Sequence, residues 1–347
     1  HETESVSPCE SGNMLLGEDF RFTNSHSFSF DLPGYKQGST AQVLVSFAAK
    51  STGGDSKLSF KANGTALESS SQDVIPSMSS SGYDLIKFTE TVKQISLGNE
   101  NLTLDIAFAS AGTVLAANLD FITINYQRKL ELNGSLAFRQ MNSAGKTFEI
   151  SNSNENTRVW DVSVANSPIG LTGTLSGSTY SVKAVSDGEH VAFDANASHK
   201  SPSFKENVAS QNIHGEPTPD MIIITPAEFM SQAQRIADLH LQLDSMRVLV
   251  VAQQKVFNEF SSGTPDFMAY RKMAKMFYDR GADEKGHKLG YLLLFGRGTY
   301  DNRQLSSAVK SLGYPMLLTW QTDNSSDEIA SYSTDDIVGM LEDNSSN

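Results

Sequence analysis

The sequence holds a single cysteine, Cys9, in Pro8-Cys9-Glu10-Ser11-Gly12. One thiol makes no internal disulfide and no multi-cysteine metal site. That fits the cytosol, or an exported bacterial protein that does not rely on bridges. A nucleophilic role for Cys9 needs a base brought in from elsewhere. So close to a terminus, an incidental thiol is the better reading. Long apolar runs are missing as well: the longest, such as residues 221–224 and 291–295, fall far short of the roughly 20 that span a bilayer. The first residues show no charged segment followed by an apolar one, so any secretion leader is expected to have been removed or left out of this sequence. Clusters of Lys and Arg are absent, and the net charge is −13 with a pI near 5.0. Phosphate binding needs such clusters, which sets nucleic acid aside as a partner.

Familiar catalytic and ligand motifs are also lacking. None of the seven histidines stands in a His-Glu-x-x-His spacing. His214 precedes Gly215 in a linker, His240 falls late in a helical pattern and His287 in a charged loop, so each reads as solvated or packed. No Gly-x-Ser-x-Gly elbow follows an α/β strand. Phe295-Gly296-Arg297-Gly298 looks superficially like a phosphate loop, but the further glycine and the Walker lysine are missing. The acidic stretch Asp323, Asp327, Glu328, Asp335 and Asp336 makes calcium a candidate ligand through carboxylate oxygens. Its spacing departs from the calcium-loop pattern, and a solvated acidic loop is the better reading.

What is present divides near residue 205. The first part is dense in Ser, Thr, Asn and Gly, with apolar residues at alternate positions. Leu102, Leu104, Ile106 and Phe108 fall on one face of a strand, the period-2 signature of half-burial. Residues 119–126 are rich in β-branched and aromatic side chains. Residues 57–60 and 66–68 flank Asn63-Gly64, a hairpin dipeptide. Further strands are predicted over 147–150, 158–164, 180–185 and 190–193. Short strands with frequent turns predict a jelly-roll-like β-sandwich over 1–205, divisible into 1–128 and 129–205.

From residue 206 to 347 the pattern becomes α/β. Residues 220–225 read as a buried parallel strand, after which Pro226 opens a helix through Asp244. Residues 247–252 are a second strand, Pro265 starts a second helix through Arg280, and 290–296 are a third strand. Leu305, Val309 and Leu312 suggest a third helix, and 316–320 a fourth strand. Strand–helix alternation predicts a doubly wound sheet with right-handed crossovers. Ligands of such sheets sit beyond the carboxyl ends of the strands. That places Arg297 and Asp301, in the turn after the third strand, among the candidate binding residues. Residue chemistry alone shows no catalytic constellation.

Gln211-Asn212-Ile213-His214-Gly215 and the strand Asp220–Thr225 resemble the start of the peptidase domain of the gingipain family of cysteine peptidases. The likeness continues over 248–257, 267–278, Leu292-Leu293-Leu294-Phe295-Gly296 and Tyr300-Asp301. Ser333-Thr334-Asp335-Asp336-Ile337-Val338-Gly339 is similar to the family's Thr-Asp-Asp-x-x-Gly element, which adds Asp335 and Asp336 as candidate binding residues. The resemblance is specific over about 130 residues and loose over the rest.

This resemblance implies a caspase-like peptidase domain of two α/β halves, with 206–347 as the first. The catalytic histidine and cysteine of the family belong to the second half, so no catalytic residue is expected in this chain and the segment alone is expected to be inactive. The resemblance further implies an exported endopeptidase that removes C-terminal sorting domains from proteins of the type IX secretion route. Its expected place is the cell surface or outer membrane of a Gram-negative bacterium. Its expected partners are exported cargo, the rest of its own peptidase domain and other secretion components, with no cofactor apart from the candidate calcium. The alternative is a non-catalytic surface binding module or an inactive peptidase homologue.

Overall fold

The computed structural model describes residues 1–7, 13–322 and 325–342. Cys9 and Asp323 lie outside them. Alternating side chains build the first layer pair. Its strands are β1 (Ser25–Asp31), β2 (Ala41–Thr52), β3 (Ser56–Ala62), β4 (Thr65–Ala66), β5 (Val74–Ile75), β6 (Lys87–Ile95), β7 (Asn101–Ser110) and β8 (Thr113–Asn125). One antiparallel sheet runs β6-β2-β8; the other runs β1-β7-β3-β4, with β5 added to β3. On β7 the predicted face of Leu102, Leu104, Ile106 and Phe108 is buried. Phe108 stacks on Phe47 of the opposite sheet at 5.5 Å, so the two inner faces share one core. Asn63 and Gly64 take φ of 48° and 80°, the pair of left-handed conformations that a two-residue hairpin turn requires. Inside the sandwich the Lys93 ammonium bonds Asp73 Oδ2 and the Glu68 carbonyl, both at 2.8 Å, and lies 5.2 Å over the Phe60 ring.

A second, smaller pair of sheets follows. It comprises β9 (Ser135–Arg139), β10 (Thr147–Ile150), β11 (Thr157–Asp161), β12 (Ile169–Leu171), β13 (Gly173–Ser176), β14 (Thr179–Lys183) and β15 (Glu189–Asp194). The orders are β12-β11-β15-β9 and β10-β14-β13. Leu136, Phe148, Ile150, Val159, Val182 and Ala192 form a core separate from the first. Residues 198–212 carry no regular secondary structure, and 198–210 are exposed throughout.

The α/β region contains β16 (Met221–Thr225), β17 (Val248–Ala252) and β18 (Tyr291–Leu294). They form a parallel sheet in the order β17-β16-β18, with the first strand at the centre. Helix α1 (Met230–Asp244) covers the face of Ile223, and α2 (Gln253–Phe260) with α3 (Met268–Arg280) covers the face of Ile222 and Ile224. A strand covered on both faces must be apolar on both, as the run Met221-Ile222-Ile223-Ile224 is.

Three expectations change here. Helix α2 fills the stretch between the second strand and the second predicted helix, where no element is predicted; it spans only eight residues, with adjacent Val256 and Phe257 buried, too short to show a period. The third helix shrinks to the single turn α4 (Ser307–Lys310), whose Ser306 hydroxyl accepts from Val309 N–H, and it is followed by Gly313 at φ 65°. The expected fourth strand does not join the sheet. Leu317 makes one parallel bridge to Gly298, while β19 (Trp320–Gln321) pairs antiparallel with β20 (Ser333–Thr334) just before the short α5 (Asp336–Gly339). Pro315 lacks the N–H that a continuous ladder through this segment needs.

Candidate functional site

With the first strand central and the second and third on either side of it, the switch point of the sheet falls between β16 and β18. The crevice outlined by Thr225-Pro226 and Phe295-Gly296 is filled by the chain itself. The Thr225 hydroxyl donates to the Phe295 carbonyl at 2.8 Å, and Leu317 seats against Gly296, where a Cβ would lie 3.2 Å from its methyl carbon. Gln253 holds this cover down: its amide donates to the Met316 carbonyl at 2.8 Å, and its oxygen accepts from the Tyr270 hydroxyl at 2.7 Å. That same hydroxyl accepts from Leu318 N–H at 3.3 Å. Tyr270 is fully buried, and burial pushes its phenol well above the usual tyrosine range. It serves as a neutral donor here, not as a base.

The four sequence-predicted residues separate into two pairs. Arg297 is exposed, with its guanidinium 5.4 Å over the Tyr314 ring. Asp301 is buried and faces its own turn, accepting from Leu305 N–H at 3.1 Å and Ser306 N–H at 2.8 Å. Burial raises its pKa, but the N–H groups of Ser306 and Leu305 outweigh that and hold it below the ordinary aspartate value. Asp335 and Asp336 are both exposed at the start of α5, and Asp336 N–H donates to the Thr334 hydroxyl at 3.1 Å. Among the described residues no three His, Cys, Asp or Glu side chains converge as a metal site.

What joins the two loops is a cleft that sequence reasoning missed. Tyr300, beside Asp301, and Tyr332 and Ser333, just ahead of Asp335, line it together with Gln321 and with Leu85 from the first sandwich. Tyr300 carried a signal as half of the Tyr300-Asp301 pair, and Ser333 as the first residue of the element over 333–339; Leu85, Gln321 and Tyr332 carried none.

His214 and His287 are tethered. His214 donates from Nδ1 to Glu259 at 2.6 Å and stacks on Phe260 at 4.6 Å. Glu259 also accepts from the N–H groups of Ile213 and His214 and from the Gln211 amide. Burial raises the Glu259 carboxyl, yet these donors outweigh it and bring it down from 4.5 to about 2. The carboxylate thus clamps the lead-in segment 211–214 onto α2. At the opposite end of the sheet His287 donates to Asp220 at 2.7 Å, and Asp220 also accepts from Arg247 N–H. Arg247 in turn pairs with Asp283 at 2.6 Å, which holds that carboxyl down to about 2. No thiol lies among the described residues, so none of these histidines has a cysteine to activate there.

Comparison with known proteins places this geometry. A model of peptidase family C25 matches residues 214–347. The crystal structure of dimeric latent PorU from Porphyromonas gingivalis is similar over 99% of this chain, at 33% identity and a TM-score of 0.81. This chain covers 34% of that one, about a third of its length. A sugar-binding protein, the EclA C-terminal domain, aligns with 29% of this chain and 76% of its own at 11% identity and a TM-score of 0.20, which carries no argument. No curated protein matches. The similarity to PorU runs through the β-rich sandwiches as well as the α/β sheet, and with the match over residues 214–347 it shows that the chain belongs to peptidase family C25, the gingipain family.

Proposed function

We propose that this chain is the N-terminal portion of a gingipain-like cysteine endopeptidase that removes C-terminal sorting domains from proteins exported by the type IX route. The observation that carries this reading is the 33% identity to PorU over 99% of the chain, β-rich region included. A likeness confined to the peptidase region would suit any member of the family. One that extends through both sandwiches favours the same job.

In this reading the α/β region is the first half of the peptidase domain, and its sheet and loops support a second half that carries the catalytic pair. The chemistry is thiolate attack on a peptide carbonyl, with histidine as base and then acid and with N–H donors at the oxyanion. The candidate residues Arg297, Asp301, Asp335 and Asp336 act by shaping loops or binding, not by chemistry. Cargo, the second half of the domain and other secretion components are its partners, at the surface or outer membrane of a Gram-negative cell.

Two measurements test the reading. Deleting the gene is expected to leave exported cargo with its C-terminal domain attached, as mass spectrometry of the secreted fraction would show; normal processing in the deletion strain overturns the function. The 347-residue chain alone is expected to cleave no such cargo and to take up no alkylating active-site probe. Turnover that disappears on Cys9→Ala would show instead that the chain carries its own nucleophile.

A further inference from the structure

The cleft between the first sandwich and the peptidase region has a volume of about 360 Å³ and is built from both. Residues 83–85 of the sandwich run antiparallel to residues 326–328, with Asp84 opposite Asp327. Leu85 N–H donates to the Ser326 carbonyl at 2.6 Å, and Glu328 N–H donates to the Tyr83 carbonyl at 3.0 Å. The facing wall comes from β19 and the residues leading into β20, whose register sets Gln321 opposite Ser333. Between these extended segments stand Tyr300 and Tyr332, 45% and 59% exposed.

The chemistry of the lining narrows what fits. The Gln321 amide nitrogen is buried and has no hydrogen-bond partner among the described residues. A buried N–H without an acceptor is unfavourable, and a ligand that brings a carbonyl or hydroxyl oxygen removes the deficit. Among the described residues of the lining, Asp327 and Glu328 are the charged ones, and both are acidic. Phosphates, nucleic acid and carboxylate ligands are repelled by such a rim. The tyrosine rings offer flat apolar surface with a polar tip, suited to an apolar or aromatic side chain. Extended backbone on both sides matches a ligand that is itself an extended chain.

We propose that this cleft is a polypeptide-binding subsite away from the scissile bond, in which Gln321 donates to a main-chain carbonyl and Tyr300 and Tyr332 hold a neighbouring apolar or aromatic side chain. Leu85 makes the site composite: the sandwich completes a surface that the peptidase region leaves open. The proposal rests on the reading of the parent as an enzyme acting on proteins, and it assigns part of substrate capture to this chain.

The test is binding of fluorescent, unstructured peptides rich in apolar residues to the whole 347-residue chain, read by anisotropy. Tyr332→Ala and Gln321→Ala are each expected to weaken binding at least tenfold, about 1.4 kcal/mol. Tyr332→Phe should retain it. Gln321→Met keeps the length but removes the donor, and should lose binding without a fall in the melting midpoint. An absence of peptide binding, affinities indifferent to all four variants, or capture of neutral oligosaccharides in place of peptides overturns the proposal. Cargo processing in cells separates it from the reading beneath it. Processing without peptide binding by this chain sinks the subsite alone; peptide binding without processing supports the subsite and sinks the proposed cleavage.

Discussion

Strands β7 and β16 bury their side chains by opposite rules. In β7 every second residue from Leu102 to Phe108 faces the core, and the residues between them are exposed or half-buried. In β16 four consecutive residues, Ile222 to Thr225, are buried, because helices cover both faces of its sheet. The regions also treat charge differently. The sandwich encloses one ion pair, Lys93–Asp73, with side chains 6% and 1% exposed. The α/β region keeps its charged clamps around Asp220 and Glu259 at its margins. The sandwich therefore has an outer face that tolerates change and a charge pair inside, whereas the α/β sheet is covered on both faces and keeps its ion pairs at the rim.

Removing one partner of the buried pair is the strongest way to break that contrast. Asp73→Ala leaves Lys93 charged and enclosed, and is expected to cost about 3–5 kcal/mol. Chemical denaturation should show the loss in the sandwich, with the α/β signal following its normal course. The two burial rules can be compared directly by Ile223→Ala and Thr103→Ala. The first opens a cavity in β16 and should cost about 2–5 kcal/mol. The second trims an outward position of β7 and should stay within about 0.5 kcal/mol. Equal effects would mean that the outer face of the sandwich is not free to vary. Gly64→Ala forces a Cβ into left-handed backbone at φ 80° and is expected to cost about 1–2 kcal/mol, read as a shift in the urea midpoint.

The margin of the α/β region offers a test of charge against shape, read through pH. The folded value of Glu259 is depressed from 4.5 to about 2, so its stabilisation is complete above the ordinary value and fades as pH falls toward 2. Glu259→Gln should lower stability at neutral pH, and its difference from the parent should narrow steadily between pH 4.5 and 2. A constant difference across that window would show that the clamp works by shape and not by charge.

Most of the scaffold was legible because its signals are local. Alternation marked β7, the Asn63-Gly64 pair marked the turn between β3 and β4, and the apolar run at 221–224 marked the central parallel strand. Helix α2 was hidden by its length, and β19 by a pairing with β20 that no periodicity announces. Among the candidate site residues, chemistry pointed to Asp301, but its carboxylate is taken up by the N–H groups of Leu305 and Ser306. The cleft was invisible for a different reason. Leu85, Tyr300, Gln321 and Tyr332 meet only through tertiary packing, and no short stretch of sequence records that meeting.

The pairing of residues 83–85 with 326–328 joins partners far apart in the chain, about 240 residues, and contacts of such separation form late because loop closure precedes them. Until then the rest of the first sandwich can already be formed, with its backbone at Tyr83 and Leu85 still unmatched. A row of open N–H and C=O groups is a template for pairing with another chain. Refolding at high protein concentration should therefore favour mispaired chains joined at this point, and dilution should suppress them.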